Sequence, residues 1–96
     1  MTDQLVECVP NFSEGRRPEV IAAIRDDVAA VEGVRVLDVH ADAEHNRFVL
    51  TYVVPESAAV ASGLAAARAA ARHIDLRSHQ GAHPRMGALD VFPFVP

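Results

Sequence analysis

Three observations predict an α+β fold for this chain of 96 residues. Four short β-prone runs, two stretches with helical hydrophobic period, and turn residues at the junctions give the order β-α-β-β-α-β. That order is the ferredoxin-like sandwich, an antiparallel sheet of four strands with two helices on one face.

The first run, residues 5–10, is β-prone and ends in Pro10-Asn11, so it reads as a strand. Residues 11–17 read as a loop by composition, and Pro18 suits the first turn of a helix, where its missing N–H costs nothing. Val20, Ile21, Ile24, Val28 and Val31 recur at steps of three and four, and Gly33 ends that helix. Residues 34–39 give a second strand, 41–46 a polar loop, and 48–54 a third strand rich in Val, Thr and aromatics. Pro55 and Ser57 open an Ala-rich helix to about Ile74, with an inward stripe expected at Val60, Leu64, Ala67, Ala71 and Ile74. Val20, Ile24, Val28, Val60, Leu64 and Ala67 are thus expected to face the sheet. Residues 75–85 are polar, and Leu89, Val91 and Phe92 form a fourth strand that Pro93 confines to a short or edge position.

Composition bounds the function. Half of the residues are hydrophobic and 23% are charged, the balance of a globular domain with a thin core. The net charge is -4 and all nine basic residues are Arg, which argues against general nucleic-acid binding, since that needs a clustered basic face. No apolar run approaches the ~20 residues that cross a bilayer. Residues 1–4 carry no basic leader, so no membrane role is expected and a cytoplasmic location is. Cys8 is the single cysteine, lies in an apolar run and reads as a core filler; no intrachain disulfide is available to it.

Five histidines stand out, four of them (His40, His45, His79 and His83) in or beside expected loops. An imidazole titrates near neutrality, which suits proton transfer. His79 and His83 are four apart, but Gly81 and Pro84 argue against a helix there and a third ligand is not apparent, so no metal site is expected. In residues 77–90, Pro84 biases His83 toward extended geometry, and the flanking Arg77 and Arg85 are suited to gripping carboxylates. A preset imidazole beside guanidinium groups fits proton transfer on a carboxylate-bearing substrate.

Leu5-Val6-Glu7-Cys8-Val9-Pro10-Asn11-Phe12-Ser13-Glu14-Gly15 is similar to the start of glutamate formiminotransferases. So are Asn46-Arg47 and His83-Pro84-Arg85-Met86-Gly87-Ala88-Leu89-Asp90, and the resemblance runs over essentially the whole chain. It implies that residues 1–96 are part of the N-terminal subdomain of that family's domain. The implied activity is transfer of the formimino group of N-formimino-L-glutamate to N5 of tetrahydrofolate, a co-substrate, in histidine breakdown and one-carbon metabolism. It makes His83 the acid–base residue and draws Arg85, Met86 and Gly87 into substrate binding. Asn11 and Asn46 are read as turn formers or substrate contacts, and Arg47 as a carboxylate clamp in preference to a surface charge. Arg16, Arg17 and Arg77 read as solvated, and Asp90 as a capping or pairing residue.

The chain departs from the family pattern at Ala82, where Glu is usual, at His40, where Asp is, and at Phe92, where Cys is. The family's domain is longer, with folate held between two subdomains and a folate-contacting segment further downstream. The abrupt end at Phe94-Val95-Pro96 gives the expectation of a fragment, nearly inactive alone. A partner chain supplying the remainder, or self-association through apolar surface, is expected with it. The rival reading is a non-catalytic ferredoxin-like module that binds a ligand or a partner.

Overall fold

The computed structural model describes residues 4–74 in full and the backbone of residues 89–91 and 94–95. Its elements are β1 (Leu5–Cys8), β2 (Asn11–Phe12), α1 (Pro18–Ala29), β3 (Arg35–Asp42), β4 (Arg47–Pro55), α2 (Ala59–His73), β5 (Leu89–Val91) and β6 (Phe94–Val95). A short 3-10 turn, Glu56–Ala58, leads into α2.

The six strands lie in four lanes, all paired antiparallel. β4 pairs with β3 on one side and with both β1 and β2 on the other. β6 then pairs with β1 and β5 with β2. The spatial order of the lanes, counted along the sequence, is therefore fourth-first-third-second, the ferredoxin-like arrangement. The first lane breaks at Val9-Pro10, because proline has no N–H to give to the ladder. Its carbonyl still accepts from Leu50 N at 3.1 Å, so pairing resumes at Asn11 and Phe12, which the sequence assigned to a loop. β3 likewise runs three residues past its expected end. Asp42 pairs with Arg47, so opposite charges face each other at the mouth of the hairpin.

Alternation along β4 settles which face is covered. Phe48, Leu50, Tyr52 and Val54 are fully buried, while Val49, Thr51 and Val53 on the other face are half-buried and Arg47 is exposed. The covered face carries the core: Val6, Cys8, Phe12 and the even residues of β4 against Val20, Ile24 and Val28 of α1. Phe12 and Phe48 stack with ring centroids 4.6 Å apart. Their adjacency ties β2 into the core, since such a pair adds about 0.5–1.5 kcal/mol beyond the area it buries.

α1 has the expected stripe, and Gly33 ends its connection to β3 with φ +94. α2 does not. Its buried residues are Ala59, Ser62, Gly63, Ala66, Ala69 and Ala70, with Ile74 at its end, whereas Val60, Leu64, Ala67 and Ala71 are exposed. Of the stripe expected there, Ile74 alone is buried. Two causes turn the helix. Its smallest residues let it approach α1 and the sheet closely, and the Ser62 hydroxyl is held inside. Ser62 Oγ donates to Ala59 O at 2.7 Å, so the Tyr52 hydroxyl, 2.9 Å away, donates to Ser62. Cys8 is a buried free thiol whose pKa burial pushes up, matching its reading as a core filler. At the far end of α2, His73 Nε2 lies 2.9 Å from Asp27 Oδ2 and clasps α2 to α1.

Candidate functional site

Among the described residues, Asn11, His40 and Arg47 lie on the strands at one end of the sheet, with Asn46 in the turn before Arg47. Asn11 on β2 is paired with Val49, the same β4 residue that His40 on β3 faces from the other side. Directly paired residues project to one face, so Asn11, Val49 and His40 form a row across three lanes. With strands about 4.8 Å apart, Asn11 and His40 are rooted about 10 Å from each other. His40 is exposed. Arg47 stands at the start of β4, opposite Asp42, and the β3–β4 turn places Asn46 beside it.

That turn is built by its own side chains. Asp42 Oδ1 accepts from the N–H groups of Glu44 at 3.0 Å and His45 at 3.3 Å, and Oδ2 lies 2.7 Å from His45 Nδ1. The bond from the His45 side chain, with that from its N–H, lowers the pKa of this exposed carboxyl. Asn46 adopts φ 53, a left-handed conformation that Asn tolerates well. Its Oδ1 accepts from Gly15 N at 2.9 Å, locking the turn to the loop after β2. Asn46 therefore does the work of a turn former and of a clamp between two loops.

Glu14 organises that loop, and sequence reasoning passed over it. Its carboxyl is buried and collects four hydrogen bonds. Oε2 accepts from Arg16 N at 3.0 Å and Arg17 N at 2.9 Å, and Oε1 from Arg17 Nε at 2.9 Å and Nη2 at 2.7 Å. Burial pushes the pKa up, but the Arg17 guanidinium and the N–H groups of Arg16 and Arg17 outweigh it, and Glu14 lies below the usual range. The carboxylate also sits at the positive N-terminal end of α1. An acid three residues before Arg17, the residue just ahead of the Pro-marked helix start, was the available signal. Arg16, exposed, and Arg17, partly exposed, keep the solvent contact expected of them and are also tied down: Arg17 to Glu14, and Arg16 Nε to Ala43 O at 2.8 Å.

Gly15 sits where the two loops touch. A Cβ there would meet Arg47 N, and would lie 2.5 Å from Arg47 O and from Asp42 O. A side chain at this position would push the two loops apart.

The fourth lane closes the arrangement. β5 begins at Leu89, paired with Phe12, and Val91 is paired with Asn11. The chain thus enters the sheet beside Phe12 and runs on to Asn11, a few residues after the His83-Pro84-Arg85-Met86-Gly87 motif in sequence. His83, Arg85, Met86 and Gly87, with His79, Ala82, Phe92 and Arg77, lie outside the described residues. Of the sequence-selected site residues, Asn11, Asn46 and Arg47 are described, and all three lie at this end of the sheet. Among the described residues no group of three His, Cys, Asp or Glu is arranged to hold a metal ion, and no helix is long and apolar enough to cross a membrane.

The molecule is thus a ferredoxin-like subdomain with a polar cluster at one end of its open sheet face. The chain belongs to the family described as the formiminotransferase domain, N-terminal subdomain, which it matches over residues 5–96. It is 54% identical over 92 residues to a glutamate formimidoyltransferase of Thermoplasma acidophilum, a match that covers 96% of this chain and 30% of that protein. It is also 54% identical over 93 residues to the formimidoyltransferase-cyclodeaminase of Rattus norvegicus, with 97% and 17% covered. A glutamate formimidoyltransferase of Streptococcus pyogenes is 43% identical, with 97% and 31% covered. The chain therefore spans less than a third of the length of these relatives.

Proposed function

We propose that this chain contributes one wall and the acid–base residue of a glutamate formimidoyltransferase site. The reaction is transfer of the formimino group of N-formimino-L-glutamate to N5 of tetrahydrofolate, in the cytoplasm and within histidine degradation. The observation that carries the reading is the convergence, at one end of the open sheet face, of Asn11, the Asn46-Arg47 corner and the entry to β5 that follows the His83 motif. The names of the relatives supply the reaction class.

The chemistry needs one mobile proton. N5 of the folate attacks the amidine carbon, forming a C–N bond, and must lose its proton; the bond to the glutamate nitrogen then breaks and that nitrogen must gain one. A single imidazole, His83, takes the first proton and returns it to the leaving group, a service worth about 10²–10⁴-fold. Arg47 and Arg85 are suited to the substrate carboxylates, because a guanidinium grips a carboxylate through two parallel bonds. Holding both substrates against the imidazole falls to surfaces from the rest of the domain as well, and this positioning is the larger part of the rate. A transfer assay with both substrates tests the reading. Measurable turnover is expected when the remainder of the domain is supplied and very little from the chain alone. Failure to turn over with the remainder present, in a folded preparation, would overturn it.

A further inference from the structure

Asp42 stands at the mouth of the β3–β4 hairpin, directly paired with Arg47. Paired residues project to one face with Cβ atoms about 5 Å apart, so a carboxylate and a guanidinium there are within reach and attract. Asp42 nevertheless gives its side chain to the turn. Oδ1 accepts from Glu44 N and His45 N, and Oδ2 accepts from His45 Nδ1 at 2.7 Å. Among the described residues its ion-pair partner is His45, and no bond runs from it to Arg47. The groups that lower its pKa are likewise His45 and Glu44. The His45 and Asp42 side chains are 68% and 38% exposed, and a pair so open to water adds little to stability. What the pair does set is the direction in which the Asp42 charge points.

We propose that His45 is a positioning residue that holds Asp42 away from Arg47, and so keeps the Arg47 guanidinium for a carboxylate of the substrate. The inference rests on Arg47 acting as a carboxylate clamp in the proposed transfer. Asp42, rooted opposite Arg47, is a built-in competitor for that ligand, because both present a planar carboxylate to the same fork of N–H groups. His45 engages both of its oxygens. The backbone N–H groups of Glu44 and His45 tie Oδ1 down over the turn, and the His45 ring takes Oδ2, the oxygen that would otherwise turn to the guanidinium. The turn itself does not depend on the imidazole. Asn46 N donates to Ala43 O at 3.3 Å, Asn46 Oδ1 accepts from Gly15 N at 2.9 Å, and Arg16 Nε donates to Ala43 O at 2.8 Å. Removing the imidazole therefore frees Oδ2 while the Asn46-Arg47 corner keeps its place.

Two measurements test this. In the chain alone, the Nε–H resonance of Arg47 reports by NMR what its guanidinium contacts. It should move in His45→Ala, as Asp42 swings onto it. It should return towards its parent position in His45→Ala with Asp42→Asn, because Asn still accepts from the N–H groups of the turn but has no charge to offer. His45→Asn, whose amide N–H stands where the ring Nδ1–H does, should leave it nearly unmoved. In a preparation that includes the rest of the domain, His45→Ala should raise KM for N-formimino-L-glutamate by about two- to fivefold with kcat unchanged, since an exposed ion pair competes only weakly and the reacting atoms are untouched. Adding Asp42→Asn should bring KM back. An Arg47 signal or a KM indifferent to His45→Ala, or a raised KM that the double variant fails to restore, would overturn the proposal. A parent preparation without turnover would overturn the transferase reading instead, and the Arg47 signal would still decide whether His45 governs Asp42.

Discussion

Substituting Glu14 should loosen the candidate site while leaving the core untouched. Four hydrogen bonds converge on this one carboxylate, two from backbone N–H groups and two from Arg17. Bonds to a charged group contribute about 1.5–3 kcal/mol each, and a buried donor left unpaired costs about 1–3 kcal/mol. The Arg17 side chain is 41% exposed, so its guanidinium regains water when the carboxylate is removed; the lasting loss is at the two N–H groups. Glu14→Ala should therefore destabilise the chain by about 2–4 kcal/mol, a large share of the about 5–15 kcal/mol typical of a domain. Glu14→Gln keeps the shape and one acceptor and should cost about 1–2 kcal/mol. Urea unfolding followed by circular dichroism measures both. The pH dependence adds a second check. Because the folded pKa of Glu14 is depressed, its stabilisation is fully present above the unfolded value of about 4.3 and is lost as pH falls through the lower folded value. The gap between the parent chain and Glu14→Gln should close in that acidic window. Equal stability of Glu14→Ala and the parent chain at neutral pH, or a gap that persists undiminished in acid, would refute the reasoning.

Gly15→Ala should destabilise by more than about 1–3 kcal/mol, the usual cost of overpacking, because the new methyl meets backbone atoms of Arg47 and Asp42 that cannot rotate away; thermal unfolding checks it. Ser62→Ala removes the partner of the buried Tyr52 hydroxyl and should cost about 1–3 kcal/mol in urea unfolding, with Tyr52→Phe added to it recovering part of the loss. Ala66→Leu should destabilise by about 1–3 kcal/mol, by overpacking the inner face of α2, whereas Leu64→Ala should leave the unfolding of the monomer nearly unchanged.

The contrast between the two helices explains what was legible in the sequence. α1 has Val20, Ile24 and Val28 on one side and charges on the other, so its period fixes its phase. In α2, eight of fifteen residues are Ala, and both sides score as apolar. Choosing the larger side chains as the inward stripe placed Val60 and Leu64 inside, whereas close approach to α1 and the sheet selects the small ones. The strand order was readable because each β-prone run is bounded by turn residues, and the broken first lane was not, because a proline ends a strand in most contexts. At the site, the motif residues Asn11, Asn46 and Arg47 were readable one by one. Their meeting at one end of the sheet depends on register, and the role of Glu14 depends on burial, and neither is written in local sequence.

The acid–base role proposed for His83 is tested most directly by steady-state formimino transfer with His83→Ala, in a preparation that includes the rest of the domain. With the proton shuttle removed and both substrates still held, kcat should fall by about 10²–10⁴-fold while substrate binding changes little. His79→Ala, outside the matched motif, should cost far less. Wild-type turnover in His83→Ala, or a larger loss in His79→Ala, would contradict the assignment.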